Sequence, residues 1–186
     1  MTPELTPETD TRNVADKYRG WSNEAIKADL AARAFPFHIA IENFQHDFNI
    51  GTIVRNANAF NAAGVHIVGA KRWNRRGAMV TDRYLQLYHH DTPAELAQWA
   101  KYHQLAMIGI DNIPGSRPLH EAELPERVML VMGQEGPGLS TEMQALCQYL
   151  VAIEQFGSTR SVNVGVASGI VLYEWVRRWE LDHPGL

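Results

Sequence analysis

The chain has 186 residues, of which 45% are hydrophobic and 20% charged, with a formal net charge of −4. This length and composition predict one globular domain, and the single cysteine excludes an intramolecular disulfide and favours a reducing, cytoplasmic compartment. A membrane or secreted protein is not expected, because no apolar run approaches the ~20 residues of a membrane helix and the N-terminus lacks the order of a signal peptide.

The N-terminal part of the chain is polar and then helical in pattern. Residues 1–20 are rich in Thr, Pro and acidic side chains, which predicts a disordered or loosely attached tail. Ser22 is a typical N-cap residue, and the apolar spacing after it predicts a helix over 23–34. We therefore interpret residues 21–36 as a helical extension that precedes the main domain at 37–186.

The main domain alternates between strand and helix patterns. Strands are predicted at 37–41, 65–68, 105–110, 128–132 and 150–153, and helices at 50–62, 93–103, 141–148 and 161–179, with an irregular segment over 71–92 and a helix break at Gly64. This alternation predicts an α/β fold: a single domain with a mostly parallel sheet and helices on both faces. Ligands of such sheets bind beyond the carboxyl ends of the strands. The loops after Ile110, Met132 and Ile153 are therefore candidate binding loops.

A glycine-rich turn, Gly133–Gly138, follows one buried strand and precedes a helix that Ser140 is expected to cap. Glycines allow the backbone to approach a ligand closely and expose N–H groups at the start of a helix. The order G-x-x-G-x-G matches neither the dinucleotide fingerprint nor the phosphate-binding loop of nucleotide hydrolases. A ligand-binding turn and a plain strand-to-helix turn both remain open at this point.

Two further segments carry polar residues at helix starts. In the first, Asn49 is expected to cap a helix, Gly51 to keep its start accessible, and Arg55 to follow on a helix of small and apolar residues. The alternative for Arg55 is a surface arginine whose stem packs on the domain. In the second, Ser161 or Asn163 could cap a helix rich in small residues or contact a ligand; the alternative is a capped, buried helix.

A local basic patch stands out on this acidic chain. Five basic residues face one acid, Asp82, between positions 71 and 83, with Trp73 and Tyr84 among them. Such clusters bind nucleic-acid phosphates, and aromatic rings stack on unpaired bases; the alternative is a solvated loop. The sequence His89-His90-Asp91 lacks metal-ligand spacing and is interpreted as a solvated loop, so no metal site is predicted. Trp175 and Trp179 are interpreted as a packing stripe, within the chain or against a partner subunit.

Taken together and in order, three segments resemble the SpoU (TrmH-like) family of RNA ribose 2′-O-methyltransferases, of the SPOUT superfamily. The family's first motif is similar to Asn49, Gly51 and Arg55, its second to 131–139, and its third to 153–167. The resemblance covers about residues 37–180. Three departures from the third motif stand out: Glu154 replaces a proline, Val162 a leucine and Gly165 a serine.

The resemblance implies that residues 37–186 form a SPOUT-type methyltransferase domain with a C-terminal trefoil knot and S-adenosyl-L-methionine as cofactor. It implies a homodimer with an RNA substrate, tRNA favoured over rRNA, and no DNA or membrane partner. The resemblance assigns catalytic roles to Arg55 and Asn49. It assigns cofactor binding to Ile110, Gly133, Glu135, Gly138, Ile153, Ser161, Val162 and Asn163. With an RNA substrate, the cations expected to bind it are Arg72, Arg75, Arg76, Arg83 and Arg160. Because a guanidinium is a poor base, we expect Arg55 to orient the substrate and stabilise a developing alkoxide.

Two alternatives to this function are kept. A non-catalytic RNA-binding or assembly protein of the same fold would share the motifs without transferring a methyl group. The α/β pattern alone also fits a nucleotide- or flavin-binding protein, which the missing phosphate fingerprints disfavour. Methyl transfer to RNA would distinguish the enzyme from the non-catalytic RNA-binding protein. Binding of S-adenosyl-L-methionine would distinguish it from a nucleotide- or flavin-binding protein.

Overall fold

Seven parallel strands form one sheet at the centre of the computed structural model, which describes residues 6–44 and 49–182. In chain order the elements are α1 (Asn23–Ala32), β1 (Phe35–Asn43), α2 (Ile50–Ala59), β2 (Ala62–Gly69), β3 (Leu87–His90), α3 (Pro93–Tyr102), β4 (Ala106–Ile110), β5 (Arg117–Pro118), β6 (Val128–Met132), α4 (Thr141–Leu146), β7 (Tyr149–Ala152) and α5 (Val164–Val176). The strand order is β3-β2-β1-β6-β4-β7-β5. The predicted α/β fold with a parallel sheet is confirmed.

Helices cover both faces of this sheet, as predicted. Apolar side chains of α2 and α5 pack with those of β1 and β6 in the larger core cluster. The other face of the same strands packs against α3 and α4. Strand β6 is buried at all five positions, because a central parallel strand is covered on both sides and needs a continuous apolar run. None of the helices within the described residues is long and apolar enough to cross a membrane.

Several predicted boundaries differ from the structure. Strand β3 lies inside the segment predicted as irregular, and the two-residue β5 was not predicted. Gly64 does not break a helix but lies within β2, where the rings of Tyr88 and His38 occupy the space that a side chain would need. Helix α2 ends earlier than predicted, and Asn61 turns the chain with a positive φ of 52°, a conformation that asparagine tolerates at helix ends.

The loosely attached tail predicted for residues 1–20 is corrected over the part that the structure describes; residues 1–5 lie outside it. A short 3-10 helix spans Asp16–Tyr18, and Tyr18 is buried against Ile26 and Tyr84. The carboxylate of Asp10 accepts hydrogen bonds from the guanidinium of Arg12 and from the backbone of Gly20. Hydrogen bonding to Arg12 lowers the pKa of Asp10. The ion pair between these two residues and the buried ring of Tyr18 together hold this polar segment on the domain.

Short helical turns complete the chain. Two 3-10 helices, Arg75–Ala78 and Thr81–Arg83, lie within the basic segment, and a π-helical turn over Arg177–Leu181 extends α5. Trp175 is fully buried against Phe35 and Phe37, and its indole nitrogen donates to the carbonyl of Pro125 at 3.0 Å. Trp179 donates likewise to the carbonyl of Leu124. Both tryptophans therefore pack within this chain, and Trp175 has no exposed surface left for a partner contact.

Candidate functional site

A cavity of about 500 Å³ lies beyond the carboxyl ends of β4, β6 and β7. Each of the three candidate binding loops contributes to its wall, so the sequence-based expectation about the sheet edge is confirmed in its geometry. The eight residues that the resemblance assigns to cofactor binding all line this cavity: Ile110, Gly133, Glu135, Gly138, Ile153, Ser161, Val162 and Asn163. Their binding role remains a prediction.

The glycine-rich turn folds back on itself at the floor of the cavity. The backbone of Gln134 and that of Gly138 exchange two hydrogen bonds of 3.0 Å. A Cβ at Gly133 would lie 2.3 Å from backbone atoms of Gly138 and Leu139, and Gly138 itself has a φ of +73°. Only glycine fits both positions, because a side chain would either collide with the backbone or strain it.

Two carboxylates that were not predicted hold the far end of this turn. The carboxylate of Asp111 accepts a 2.9 Å hydrogen bond from the backbone nitrogen of Leu139. The buried carboxylate of Glu42 accepts from both the backbone and the hydroxyl of Ser140, at 2.8 and 2.6 Å, and burial raises the pKa of Glu42. Asp111 directly follows a predicted strand, a position that marks it as a candidate; nothing local to Glu42 indicates its partner.

A hydrogen-bonded triangle connects the three motif segments at the side of the cavity. The side-chain nitrogen of Asn49 donates to the carboxylate of Glu135. The side-chain nitrogen of Asn163 donates to the side-chain oxygen of Asn49 at 2.9 Å and to Glu135 at 3.1 Å. Asn163 also caps α5, accepting from the backbone of Gly165. The predicted side-chain cap by Asn49 is wrong, since its amide contacts Glu135 and Asn163 and makes no cap hydrogen bond.

Arg55 lies on α2 outside the set of residues that line the cavity. Its side chain is exposed. Within residues 6–44 and 49–182 it forms no hydrogen bond or ion pair. The next residue, Asn56, donates to the carbonyl of Gly165 at 2.8 Å and to the hydroxyl of Ser168 at 2.9 Å. Helix α2 is therefore fixed to α5, while the guanidinium of Arg55 is available for a ligand.

The basic segment packs against the first turn of α2. A Cβ at Gly51 would lie 2.7 Å from the backbone nitrogen of Ala78, so Gly51 allows this contact and does not keep the helix start accessible as predicted. The guanidinium of Arg75 lies 5.6 Å from the ring centre of Trp73 and 3.5 Å from the carboxylate of Asp82.

The remaining arginines of the predicted RNA-binding set are exposed: Arg72, Arg76, Arg83 and Arg160. Arg160 also lines the cavity. Tyr84 is buried against Tyr18 and Ile26, so it is not available to stack on a base as the sequence suggested. Five exposed cations therefore stand on the basic segment, where Lys71 and Arg75 join Arg72, Arg76 and Arg83, and a sixth, Arg160, stands on the loop after β7.

The SpoU rRNA methylase family matches residues 36–173 of this chain. The chain belongs to this family. It is 32% identical to a curated tRNA/rRNA methyltransferase of Synechocystis sp., over 91% of this chain and 45% of the relative. The chain spans about half the length of the curated relatives it matches.

Two solved structures of the same fold were also found. One is the SpoU methyltransferase AviRb from Streptomyces viridochromogenes in complex with the cofactor AdoMet: 26% identity, TM-score 0.71, covering 81% of this chain and 60% of that one. The other is described as an RNA 2′-O ribose methyltransferase: 25% identity, TM-score 0.67, covering 78% and 58%.

Two of the three departures from the SpoU third motif are accommodated by the surrounding structure. Glu154 contacts the imidazole of His120 and does not line the cavity. At Gly165 a Cβ would lie 2.8 Å from the methyl group of Thr52, so the threonine on α2 occupies the space of a serine side chain. Val162 lines the cavity in the place of leucine.

Three histidines of this SpoU protein form a row on the face of the sheet that α3 covers. His66 lies between two others, with nitrogen–nitrogen distances of 3.0 Å to His38 and 2.9 Å to His90. Burial lowers the pKa of His38 to about 4 and that of His66 to about 2. The solvated loop predicted for His89 and His90 is wrong, because both lie in β3. Within the described ranges no cluster of histidine, cysteine and acidic residues is arranged to hold a metal.

Proposed function

We propose that this chain transfers a methyl group from S-adenosyl-L-methionine to a ribose 2′-hydroxyl of RNA, with tRNA as its substrate class ahead of rRNA. The observation that carries the proposal is the triangle of Asn49, Glu135 and Asn163, which brings the three SpoU motifs together beside one cavity. The names of its relatives support it: a tRNA/rRNA methyltransferase, a SpoU methyltransferase in complex with AdoMet, and an RNA 2′-O ribose methyltransferase.

The cavity fits the cofactor in size and chemistry. Its volume of about 500 Å³ falls within the roughly 300–1,000 Å³ typical of small-molecule sites. Apolar side chains of Ile110, Met132 and Ile153 form part of the wall, and the glycine turn presents backbone groups without side chains in the way. The bound cofactor would supply a methyl group activated by a positively charged sulfur.

We assign to Arg55 the contact with the ribose hydroxyl of the substrate. A guanidinium is a poor proton acceptor, but a fixed cation stabilises the negative charge that develops on the ribose oxygen. Its guanidinium is exposed on a helix that the neighbouring Asn56 fixes to α5, and this placement suits the role. The hydroxyl proton would leave to a phosphate oxygen or to water.

The basic segment and Arg160 form the RNA-binding surface in this proposal. Arg75 and Arg76 stand on the 3-10 helix that packs on α2, next to the element that carries Arg55. Cations so placed bind the phosphates that flank the target nucleotide. Trp73 is half-buried beside Arg75. Its ring contacts the guanidinium of Arg75, so we assign it a supporting role and not the stacking of a base.

We further propose a homodimer and a trefoil knot, both expected from SpoU membership. An exposed apolar stripe supports the dimer: Val166, Ile170 and Tyr173 follow one another at helical spacing on α5. Such a stripe is typical of a surface covered by a second subunit. It replaces the fully buried Trp175 as the candidate dimer contact.

The decisive experiment is product analysis after incubation with tritium-labelled cofactor. Unmodified tRNA and rRNA pools are incubated separately with the full chain, and the labelled RNA is digested with alkali. A methyl group on the 2′-oxygen blocks cleavage at the adjacent linkage, so label in alkali-resistant dinucleotides supports the proposal. Label that alkali releases as mononucleotides would indicate base methylation. RNA binding without transfer would favour the non-catalytic alternative.

A further inference from the structure

Phe156 is the most exposed large hydrophobic side chain among the described residues, with 97% of its surface accessible. It lies on the loop between β7 and α5, in the third SpoU motif. An exposed aromatic ring of this degree makes no packing contribution to the fold. Its face is therefore free to contact a partner outside the chain.

The loop holds this ring beside the cavity. Gln155 and Arg160, on either side of Phe156 in sequence, both line the cavity, whereas Phe156 does not. The side chain of Asn112 donates to the carbonyl of Arg160 at 3.1 Å, and Thr159 donates to the side chain of Gln155 at 3.4 Å. The two flanks of the loop are thus held in place, and the ring projects from between them into solvent.

The surroundings of Phe156 favour a nucleobase over a protein partner. The other residues of 154–161 are polar, charged or glycine, so the ring is the single large apolar side chain of this loop, whereas the core of a protein interface gathers several apolar and aromatic side chains. Arg160 on the same loop is exposed and forms no ion pair in the part of the chain that the structure describes. An aromatic face next to an unpaired cation is the combination that binds single-stranded RNA.

We propose that Phe156 is a specificity-determining residue that stacks on an unpaired base next to the methylated nucleotide, while Arg160 binds the adjoining phosphate. This inference rests on the proposed RNA methyltransferase function. Stacking accepts any base but requires that it be unpaired, so Phe156 would select targets in loops over targets in duplexes.

The test compares four single variants in binding and in methyl transfer. Phe156→Ala and Phe156→Leu remove the aromatic face, Phe156→Tyr keeps it, and Tyr102→Ala is the matched control. Tyr102 is 84% exposed at the end of α3, which leads to the amino ends of the strands, away from the cavity. The probe is fluorescein-labelled, unfractionated tRNA that lacks modifications, and its binding is measured by fluorescence anisotropy.

We expect the alanine and leucine variants to bind this tRNA about tenfold more weakly, in the range that loss of one base stack causes. The tyrosine variant and the Tyr102 control should bind like the wild type, and all four should bind S-adenosyl-L-methionine normally in calorimetry. Since the ring is exposed, thermal unfolding should be unchanged. The kcat/KM for methyl transfer should fall in parallel with tRNA affinity.

Four results would overturn the inference. Equal tRNA affinity of the wild type and Phe156→Ala, with methyl transfer intact, overturns it and leaves the proposed function standing. A leucine variant that binds like the wild type shows that stacking is not the contact. A change in sedimentation of Phe156→Ala, without a change in tRNA affinity, assigns the ring to a protein contact. Failure of the wild type to bind tRNA overturns the proposed function as well.

Discussion

The side-chain nitrogen of Asn163 donates a 2.9 Å hydrogen bond to the side-chain oxygen of Asn49, across 114 residues of chain. Both side chains also contact Glu135. Each of the three residues belongs to a different motif segment, so the edge of the cavity is held together by polar contacts between distant parts of the sequence. This arrangement separates two tasks of Asn163, which caps α5 with its oxygen and braces the cavity with its nitrogen.

Asn163→Asp should keep the first task and lose the second. A carboxylate still accepts from the backbone of Gly165, but it does not donate to Asn49 and it repels Glu135. We expect a nearly unchanged melting temperature and at least about tenfold weaker binding of S-adenosyl-L-methionine by calorimetry. Asn163→Ala should lose the cap as well, at about 1 kcal/mol of unfolding free energy. Normal cofactor affinity in the aspartate variant would contradict the bracing role.

Gly133→Ala should damage both fold and cofactor binding. The added Cβ would lie 2.3 Å from the backbone of the same turn, so the turn must open, at a cost of about 3 kcal/mol in unfolding free energy. The control is Gly157→Ala, because Gly157 has open space around the position of a Cβ and its substitution should change stability by less than about 0.5 kcal/mol. Denaturant titration of both variants decides the matter; equal stability would argue against the folded-back turn.

Arg55→Lys should lower turnover without affecting cofactor binding. Lysine keeps the charge but lacks the planar pair of donors that holds an oxygen or a phosphate in one orientation. We expect kcat to fall by about 100-fold, with normal calorimetric affinity for S-adenosyl-L-methionine, because Arg55 does not line the cavity. Arg19→Lys, at an exposed residue paired with Asp16, is the control. Near-normal turnover of Arg55→Lys would exclude the geometric role.

Joint replacement of Arg75 and Arg76 by glutamine should weaken tRNA binding and flatten its salt dependence. Each lost phosphate contact reduces the slope of log affinity against log salt by about 0.7–0.9, so two contacts should reduce it by about 1.5. Cofactor affinity should stay unchanged. The matched control is the pair Lys17 and Arg19 on the N-terminal segment, both exposed. An unaltered slope in the Arg75 and Arg76 variant would refute the RNA contact.

The sequence predicted those elements whose pattern is evident in their own residues. The apolar run 128–132 gave the bounds of β6 without error, and the start of α3 at Pro93 was predicted from the proline. Strand β3 was missed because its sequence, Leu-Tyr-His-His, shows no apolar pattern. It is defined by pairing with β2 and by the contact of His90 with His66, which depends on residues far away in the chain.

The candidate site shows the same division. Motif order and the rule for parallel sheets placed three loops at one cavity, which the structure confirms in geometry. The contacts of Asp111 and Glu42 with the backbone after the glycine turn were not predictable, since nothing near either residue identifies its partner. Phe156 was passed over for a related reason: the exposure of a side chain on a loop follows from the whole fold.

The buried histidine row predicts how stability depends on pH. In the folded chain burial lowers the pKa of His38 to about 4 and that of His66 to about 2, while an unfolded histidine titrates near about 6.5. Between these values the unfolded state binds more protons, so the unfolding free energy is largest above about pH 7 and falls as the pH decreases. The loss approaches about 1.4 kcal/mol per pH unit for each such histidine. Glu42, whose pKa burial raises, acts in the opposite sense and reduces the slope.

Denaturant titrations between pH 7.5 and pH 5, values at which few exposed carboxylates titrate, should show this decline. His66→Phe is the informative variant: the ring still packs against Tyr88 and Trp99, but it takes up no proton. The variant should be less stable than the wild type at pH 7.5, since His38 and His90 lose their shared partner. Its slope against pH should be shallower by close to one proton. Parallel curves for the two proteins would mean that His66 titrates alike in the folded and unfolded states, and would contradict its burial as the cause.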